Sequence, residues 1–300
     1  MKILITGACG QLGNELRTVL ANGCGELGPV PEKLVHATVI STDVTAAPGV
    51  EALDITDRHQ VAVFLRRCRP DVVINCAAYT NVNGCESHQL DAYKVNALGP
   101  RNLALACEEI GAKLVHVSTD YVFSGEGDVP LCEYDTVGPV SVYGKTKRAG
   151  EEYVQQFCKK HFIVRTAWLY GYVGNNFVKT ILRLAKERGA VTVVNDQLGN
   201  PTHCADLAHH LLKLCVTKEY GTYHCTCEGI CSWYDFACEI VRLGGVDAKV
   251  SPCTTAEYPT PAKRPAWSAL ENMALAATVG NDARPWQEAL ASFFAHWDGN

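Results

Sequence analysis

Tyr143 and Lys147 stand four residues apart in Tyr143-Gly144-Lys145-Thr146-Lys147. On a helix that spacing stacks a phenol and an ammonium on one face, about one turn from each other. An ammonium there favours phenolate over phenol, and so draws the tyrosine pKa down from its free value of about 10. Thr119 follows the apolar run Lys113-Leu114-Val115-His116-Val117 and offers a hydroxyl at the end of the strand that this run predicts. A hydroxyl, a phenol and an ammonium converging at one strand end make a proton-transfer site for an alcohol/ketone pair. Taken alone, Tyr-x-x-x-Lys is more often a surface helix pair. Its companions give it chemical weight.

The first companion is a glycine pattern. Lys2 to Thr6 reads as a short buried strand and runs into Thr6-Gly7-Ala8-Cys9-Gly10-Gln11-Leu12-Gly13, after which Asn14 to Leu20 has helical spacing. Strand, glycine turn and helix form the context in which G-x-x-G-x-x-G signals a dinucleotide site. Gly7 suits the tight turn, Gly10 admits a pyrophosphate close to the backbone, and Gly13 lets the helix pack against the sheet. Asp43 ends a second strand, Ala37 to Ser41, where a carboxylate accepts hydrogen bonds from the adenosine ribose hydroxyls. No Arg or Lys lies between Ser41 and Asp57 to receive a 2′-phosphate, so NADH is favoured, with NADPH admitted. Asp54 and Ile55 are expected to border the adenine, and Thr56 or Asp57 to cap the next helix. After a third strand, Asp71 to Asn75, the small residues of Ala77-Ala78-Tyr79 let a cofactor pass close to the backbone.

These motifs need strands and helices to carry them, and the chain alternates the two through its first half. Glu86 to Ile110 reads as one long crossover helix, Gly150 to Lys160 as the continuation of the helix begun at Tyr143, and Phe162 to Ala167 as a fifth strand. The fold class that follows is α/β, a doubly wound parallel sheet of Rossmann type. In such a sheet ligands bind beyond the carboxyl ends of the strands, where all the motifs fall. After Trp168 the pattern loosens. Helices are expected over 177–188, 203–216, 233–243 and 285–297, with a proline-fixed strip at Tyr258 to Pro265. The expected division is a dinucleotide-binding domain, 1–168, to which the chain returns around 191–222, and a smaller C-terminal substrate-binding lobe, 169–190 and 223–300.

Composition sets bounds. Three hundred residues, 47% hydrophobic and 20% charged, suit a globular enzyme with an ample core. A net charge of −5 argues against a nucleic-acid surface. No apolar run approaches a membrane span, and the N-terminus lacks a signal-peptide pattern, so a cytoplasmic location is expected. Fifteen cysteines are numerous, but several sit in apolar runs as small hydrophobes. Cys225, Cys227 and Cys231 lack the paired spacing of a zinc site, and no metal is expected there.

T-G-x-x-G-Q-L-G, N-x-A-A-Y-T, S-T-D-Y-V-F-S-G, Y-G-K-T-K and R-T-A-W-L-Y-G together resemble the extended short-chain dehydrogenase/reductases. G-N-N-F-V-K-T, N-D-Q-L-G-N-P-T and Y-P-T-P-A-K-R-P narrow the resemblance to the dTDP-4-dehydrorhamnose reductases. The likeness runs nearly end to end, and is weakest around Asn22 to Lys33. It implies reduction of the C4 ketone of dTDP-4-dehydro-L-rhamnose to dTDP-L-rhamnose, with Tyr143 as proton donor. Lys147 would hold the nicotinamide ribose, and Thr119 would tune the phenol. Gly10, Gln11, Leu12, Asp43, Asp54, Ile55, Ala77, Ala78 and Tyr79 would hold the cofactor. Thr119, Asp120, Tyr121, Trp168 and Asn176 would meet the substrate, and Arg264 would fork onto its diphosphate. Some members bind Mg2+ through glutamates at a dimer contact, and Glu15 sits where one such ligand would be. Monomer and homodimer both remain open. Two rivals share the resemblance. A sugar-nucleotide dehydratase wants Asp-Glu after the strand-end Thr, whereas Asp120 is followed here by Tyr121. A non-catalytic regulatory subunit of the methionine adenosyltransferase type would have no need of the Thr119/Tyr143/Lys147 set.

Overall fold

A computed structural model describes residues 1–299. Seven parallel strands form the main sheet, in the spatial order Gly221–His224, His161–Thr166, Lys113–Thr119, Val72–Asn75, Lys2–Thr6, Thr38–Asp43 and Glu51–Ala52. Alternate residues of a strand point to opposite faces, and helices cover both. Ile3 and Ile5 pack under the helices Gln11–Asn22 and Cys204–Cys215, while Leu4 packs with Arg58–Cys68, Gly99–Ile110 and Val142–Phe157. All three strand residues are fully buried. Such burial favours folding by about 1.5–3 kcal/mol per side chain. The strand order reverses direction between Lys2–Thr6 and Val72–Asn75, and the crevice above that point is the place where such sheets take ligands.

A second apolar cluster joins the helices Phe177–Arg188, Trp233–Leu243 and Trp286–His296 to a two-stranded parallel ribbon, Ala190–Val194 with Lys249–Cys253. Here the structure departs from the expected boundary. Val191 and Val193 belong to this second cluster, and the chain rejoins the first one only at Cys204, entering the main sheet at Gly221–His224. Apolar alternation marks a strand without naming its partner, and this partner lies some sixty residues on.

The expected helix from Glu86 to Ile110 is also divided. His88 leaves helical geometry between Val82–Ser87 and Gln89–Tyr93, and a π-helical turn at Lys94–Leu98 precedes Gly99–Ile110. That turn buries Asn96 completely and turns it toward Tyr79. The segment Asn22 to Lys33 contains a small hairpin, Cys24–Gly25 against Gly28–Pro29.

Candidate active site

The glycine turn shows why it needs glycine. Gly7 has φ of +66°, and a Cβ on it would stand 2.7 Å from the Ala77 nitrogen, so the turn passes directly against the end of the neighbouring strand. The helix Gln11–Asn22 starts at Gly10 without a side-chain cap, which leaves its first N–H groups and partial positive charge for an anion. Asp43 is oriented at the rim by two backbone donors, Cys9 N at 3.0 Å and Val44 N at 2.8 Å. Asp54 accepts from the Thr56 nitrogen and hydroxyl, both at 2.8 Å, and the carbonyl of Ile55 accepts from Asn102 at 3.0 Å. Asn96 pins the Ala77-Ala78-Tyr79 segment, accepting from Tyr79 N at 2.8 Å and donating to its carbonyl at 3.1 Å. Gly10, Gln11, Leu12 and Gly13 join these residues along one cleft of about 880 Å³. That is a size suited to cofactor-scale ligands. The close turn and the uncapped helix start fit the diphosphate of a nicotinamide dinucleotide.

Thr119, Tyr143 and Lys147 lie in the same cleft. Ser141 starts the helix of Tyr143 and Lys147, its hydroxyl accepting from Gly144 N at 3.1 Å, and so fixes where Tyr143 stands. Burial pushes the Tyr143 phenol up, with the Thr119 hydroxyl pulling the other way. Lys147, only 2% exposed, donates to the Val117 carbonyl at 2.6 Å, and burial lowers its pKa to about 8. The expectation that Lys147 makes the phenol acidic is therefore corrected. The ammonium is engaged by a backbone carbonyl, and desolvation of the phenolate outweighs it in the open cleft. Thr119 donates to Asp120 at 2.7 Å. Burial raises the Asp120 carboxyl to about 6, so it exchanges a proton near neutrality. Thr119 thus stands between the Tyr143 phenol and the Asp120 carboxyl.

Tyr121 meets Tyr143 edge to face, ring centres 5.4 Å apart. Burial pushes its phenol up to about 12 against the Arg264 guanidinium, and Arg264 lines the same end of the cleft. Trp168 has φ of +48°, a left-handed backbone rare for a bulky residue, and its indole stacks on Trp233 at 3.6 Å and 7°. Phe177 packs against Trp233 at 4.4 Å, and all three aromatics line the cleft beside Asn175. Such a wall suits a sugar or base ring.

One anticipated residue serves elsewhere. Asn176 is not on the cleft surface. Its Oδ1 caps the next helix by accepting from Lys179 N at 3.0 Å, and its amide nitrogen donates to Gln11 Oε1 at 2.9 Å and to the Gly171 carbonyl at 2.8 Å. Its neighbour Asn175 takes the surface position. Glu15 is buried, and burial, then Glu26, raise its pKa to about 7, with Arg284 opposing. No group of three or more His, Cys, Asp and Glu side chains among the described residues could hold a metal ion, and the positive charge near Glu15 comes from Arg284. Within the single chain these groups do not fit magnesium. Sequence reasoning missed Trp233, which stood out only as the start of a helix, and the bracing role of Asn96, whose burial depends on a π turn.

Residues 1–298 match the family described as the RmlD substrate binding domain. A dTDP-4-dehydrorhamnose reductase of Escherichia coli K12 is 42% identical over 276 residues, 88% of this chain and 87% of that protein. The crystal structure of a dTDP-4-dehydrorhamnose reductase from Clostridium acetobutylicum is 51% identical, with a TM-score of 0.91 over 98% of this chain and 99% of that one. The corresponding enzyme of Bacillus anthracis, solved in complex with NADP, is 40% identical with a TM-score of 0.88 over 98% of each chain. The resemblance carried by the motifs is borne out, and the chain belongs to the RmlD substrate binding domain family.

Proposed function

We propose that this protein is an NAD(P)H-dependent dTDP-4-dehydrorhamnose reductase, converting the C4 ketone of dTDP-4-dehydro-L-rhamnose into the alcohol of dTDP-L-rhamnose. The observation that carries the reading is the meeting of Thr119, Tyr143 and Lys147 in one cleft with the glycine turn at one end and the tryptophan pair at the other. The nicotinamide supplies a hydride when bound. Tyr143, held protonated by burial, gives its proton to the C4 oxygen, and Thr119 with Asp120 behind it restores that proton. Lys147 keeps a positive charge beside the reacting groups and binds the nicotinamide ribose. Arg264 takes the diphosphate, and Trp168 with Trp233 walls the sugar.

For the hydride donor we favour NADH, since the Asp43 carboxylate at the rim is suited to ribose hydroxyls and repels a 2′-phosphate. The Bacillus anthracis relative carries NADP, so both donors belong in the assay. We place the reaction in the cytoplasm. All fifteen cysteines are free, which fits a reducing compartment, and no described helix is long and apolar enough to cross a membrane. The test follows NADH and NADPH oxidation at 340 nm on dTDP-4-dehydrorhamnose generated in situ, with product identified by mass. Gain of two hydrogens supports reduction. Loss of water without dinucleotide consumption would overturn it in favour of a dehydratase.

A further inference from the structure

The turn of the hairpin Cys24–Gly25/Gly28–Pro29 carries Glu26 into the body of the protein. Glu26 Oε1 accepts from the Tyr172 hydroxyl at 2.5 Å, and Oε2 from Ser292 Oγ at 2.6 Å and Arg284 Nη1 at 3.0 Å. Arg284 also forks onto Asp206, Nε at 3.1 Å and Nη2 at 2.5 Å. Burial alone would raise the Glu26 carboxyl, but His203, Ser292, Tyr172 and Arg284 hold it below the usual range, so it is ionised at neutrality. Tyr172 lies flat on Phe293, ring centres 5.2 Å apart and planes within 5°.

Tyr172 is two residues before Gly174 and three before Asn175, both on the cleft wall. On its inner side the same loop is tied by Asn176, which donates to the Gly171 carbonyl at 2.8 Å and to Gln11 at 2.9 Å. The loop is therefore held from several sides: Asn176 ties it to the glycine-turn helix, Lys179 Nζ donates to the Tyr172 carbonyl at 2.6 Å, and the Tyr172 hydroxyl reaches the hairpin. We propose that Glu26 is a positioning residue for the reductase, acting through Tyr172 to fix the loop that presents Asn175 to the sugar nucleotide. The inference rests on the reductase reading. The hairpin thereby shapes substrate affinity without touching substrate.

The test uses the full chain with Glu26→Gln, Tyr172→Phe and the double variant. Kinetics with dTDP-4-dehydrorhamnose are measured beside NADH titration and thermal melting. Loss of a loop-fixing bond is expected to raise the KM for the sugar nucleotide about tenfold, with kcat and the NADH dissociation constant within about twofold. The double variant is expected to match Glu26→Gln alone, because both changes break one link. Tyr172→Phe leaves Arg284 and Ser292 their partner, so it carries the test if Glu26→Gln fails to fold. Unchanged KM in Tyr172→Phe, whatever the melting temperature, overturns the proposal and leaves the hairpin a structural clip. An equal rise in KM and the NADH constant overturns it too, as general loosening. If the unaltered protein turns nothing over, the reductase reading fails instead. Titration with dTDP then still decides the Glu26–Tyr172 link, a weaker dTDP constant in both variants supporting it and an unchanged one overturning it.

Discussion

A phenol in a desolvated cleft keeps its proton, and an amine beside it is pushed to give one up. At the residue scale this divides the work between Tyr143 and Lys147. In the proposed roles Tyr143 stays protonated and able to donate, and Lys147 and Asp120 are the groups that titrate. Tyr143→Phe keeps the ring but removes the proton, and turnover should fall roughly 10²–10⁴-fold, the usual worth of a general acid. NADH titration should be unaffected, and a variant with normal turnover would refute the role. Lys147 carries its charge below about pH 8 and loses it as pH rises through that value. Reductive kcat/KM should therefore fall as pH rises above about 8, a limb separate from the one that Asp120 sets near 6. Lys147→Arg, always charged, should be slower but should lose that fall. An unmoved limb in the arginine variant would assign the titration to another group. The residues themselves were legible in the sequence because their spacing is local. The direction of the Tyr143 shift was not, since it depends on how much water the surrounding strands exclude.

At the scale of elements, the active site depends on how closely the helix Val142–Phe157 approaches the turn Asp120–Val122. A Cβ on Gly144 would lie 2.1 Å from the Tyr121 carbonyl oxygen and 3.0 Å from the Pro139 side chain. Gly144→Ala must push the helix start away from the turn, and Tyr143 with it. Overpacking of this kind costs about 1–3 kcal/mol. A lower melting temperature together with a fall in kcat is expected. A melting curve like that of the parent would mean the helix start adjusts freely. Most strands and helices could be drawn from apolar periodicity, and Phe177–Arg188 and Trp233–Leu243 fall where expected. The break inside Glu86–Ile110 could not, because a π turn changes the period by one residue without any change in composition. Asn176 was misplaced for a related reason. Asparagine at a helix start caps the helix or meets a ligand with equal chemical ease, and only the backbone geometry decides.

For the whole molecule, the strand His161–Thr166 and the helix Val142–Phe157, which carries Tyr143 and Lys147, are locked by a buried ion pair. Arg165 Nε and Nη2 meet the two oxygens of Glu151 at 2.9 Å each, with the side chains 3% and 0% exposed. Arg148 adds a third bond at 2.9 Å from the helix itself. Removing one partner strands a charge in the core, so Arg165→Met should cost about 3–5 kcal/mol. The paired change Arg165→Met with Glu151→Leu removes both charges and should recover much of that loss, because the desolvation cost of the pair disappears with it. The pair also predicts acid behaviour. Burial would raise the Glu151 carboxyl, but Arg165 brings it below its ordinary 4.5. A depressed folded-state value stabilises the fold above about pH 4.5, and that contribution is lost as pH falls through the lowered value. The double variant should therefore melt with a shallower dependence on pH between neutrality and acid than the parent does. If Arg165→Met alone melts like the parent at neutral pH, water reaches the pair and the strand and helix are held by apolar contact alone.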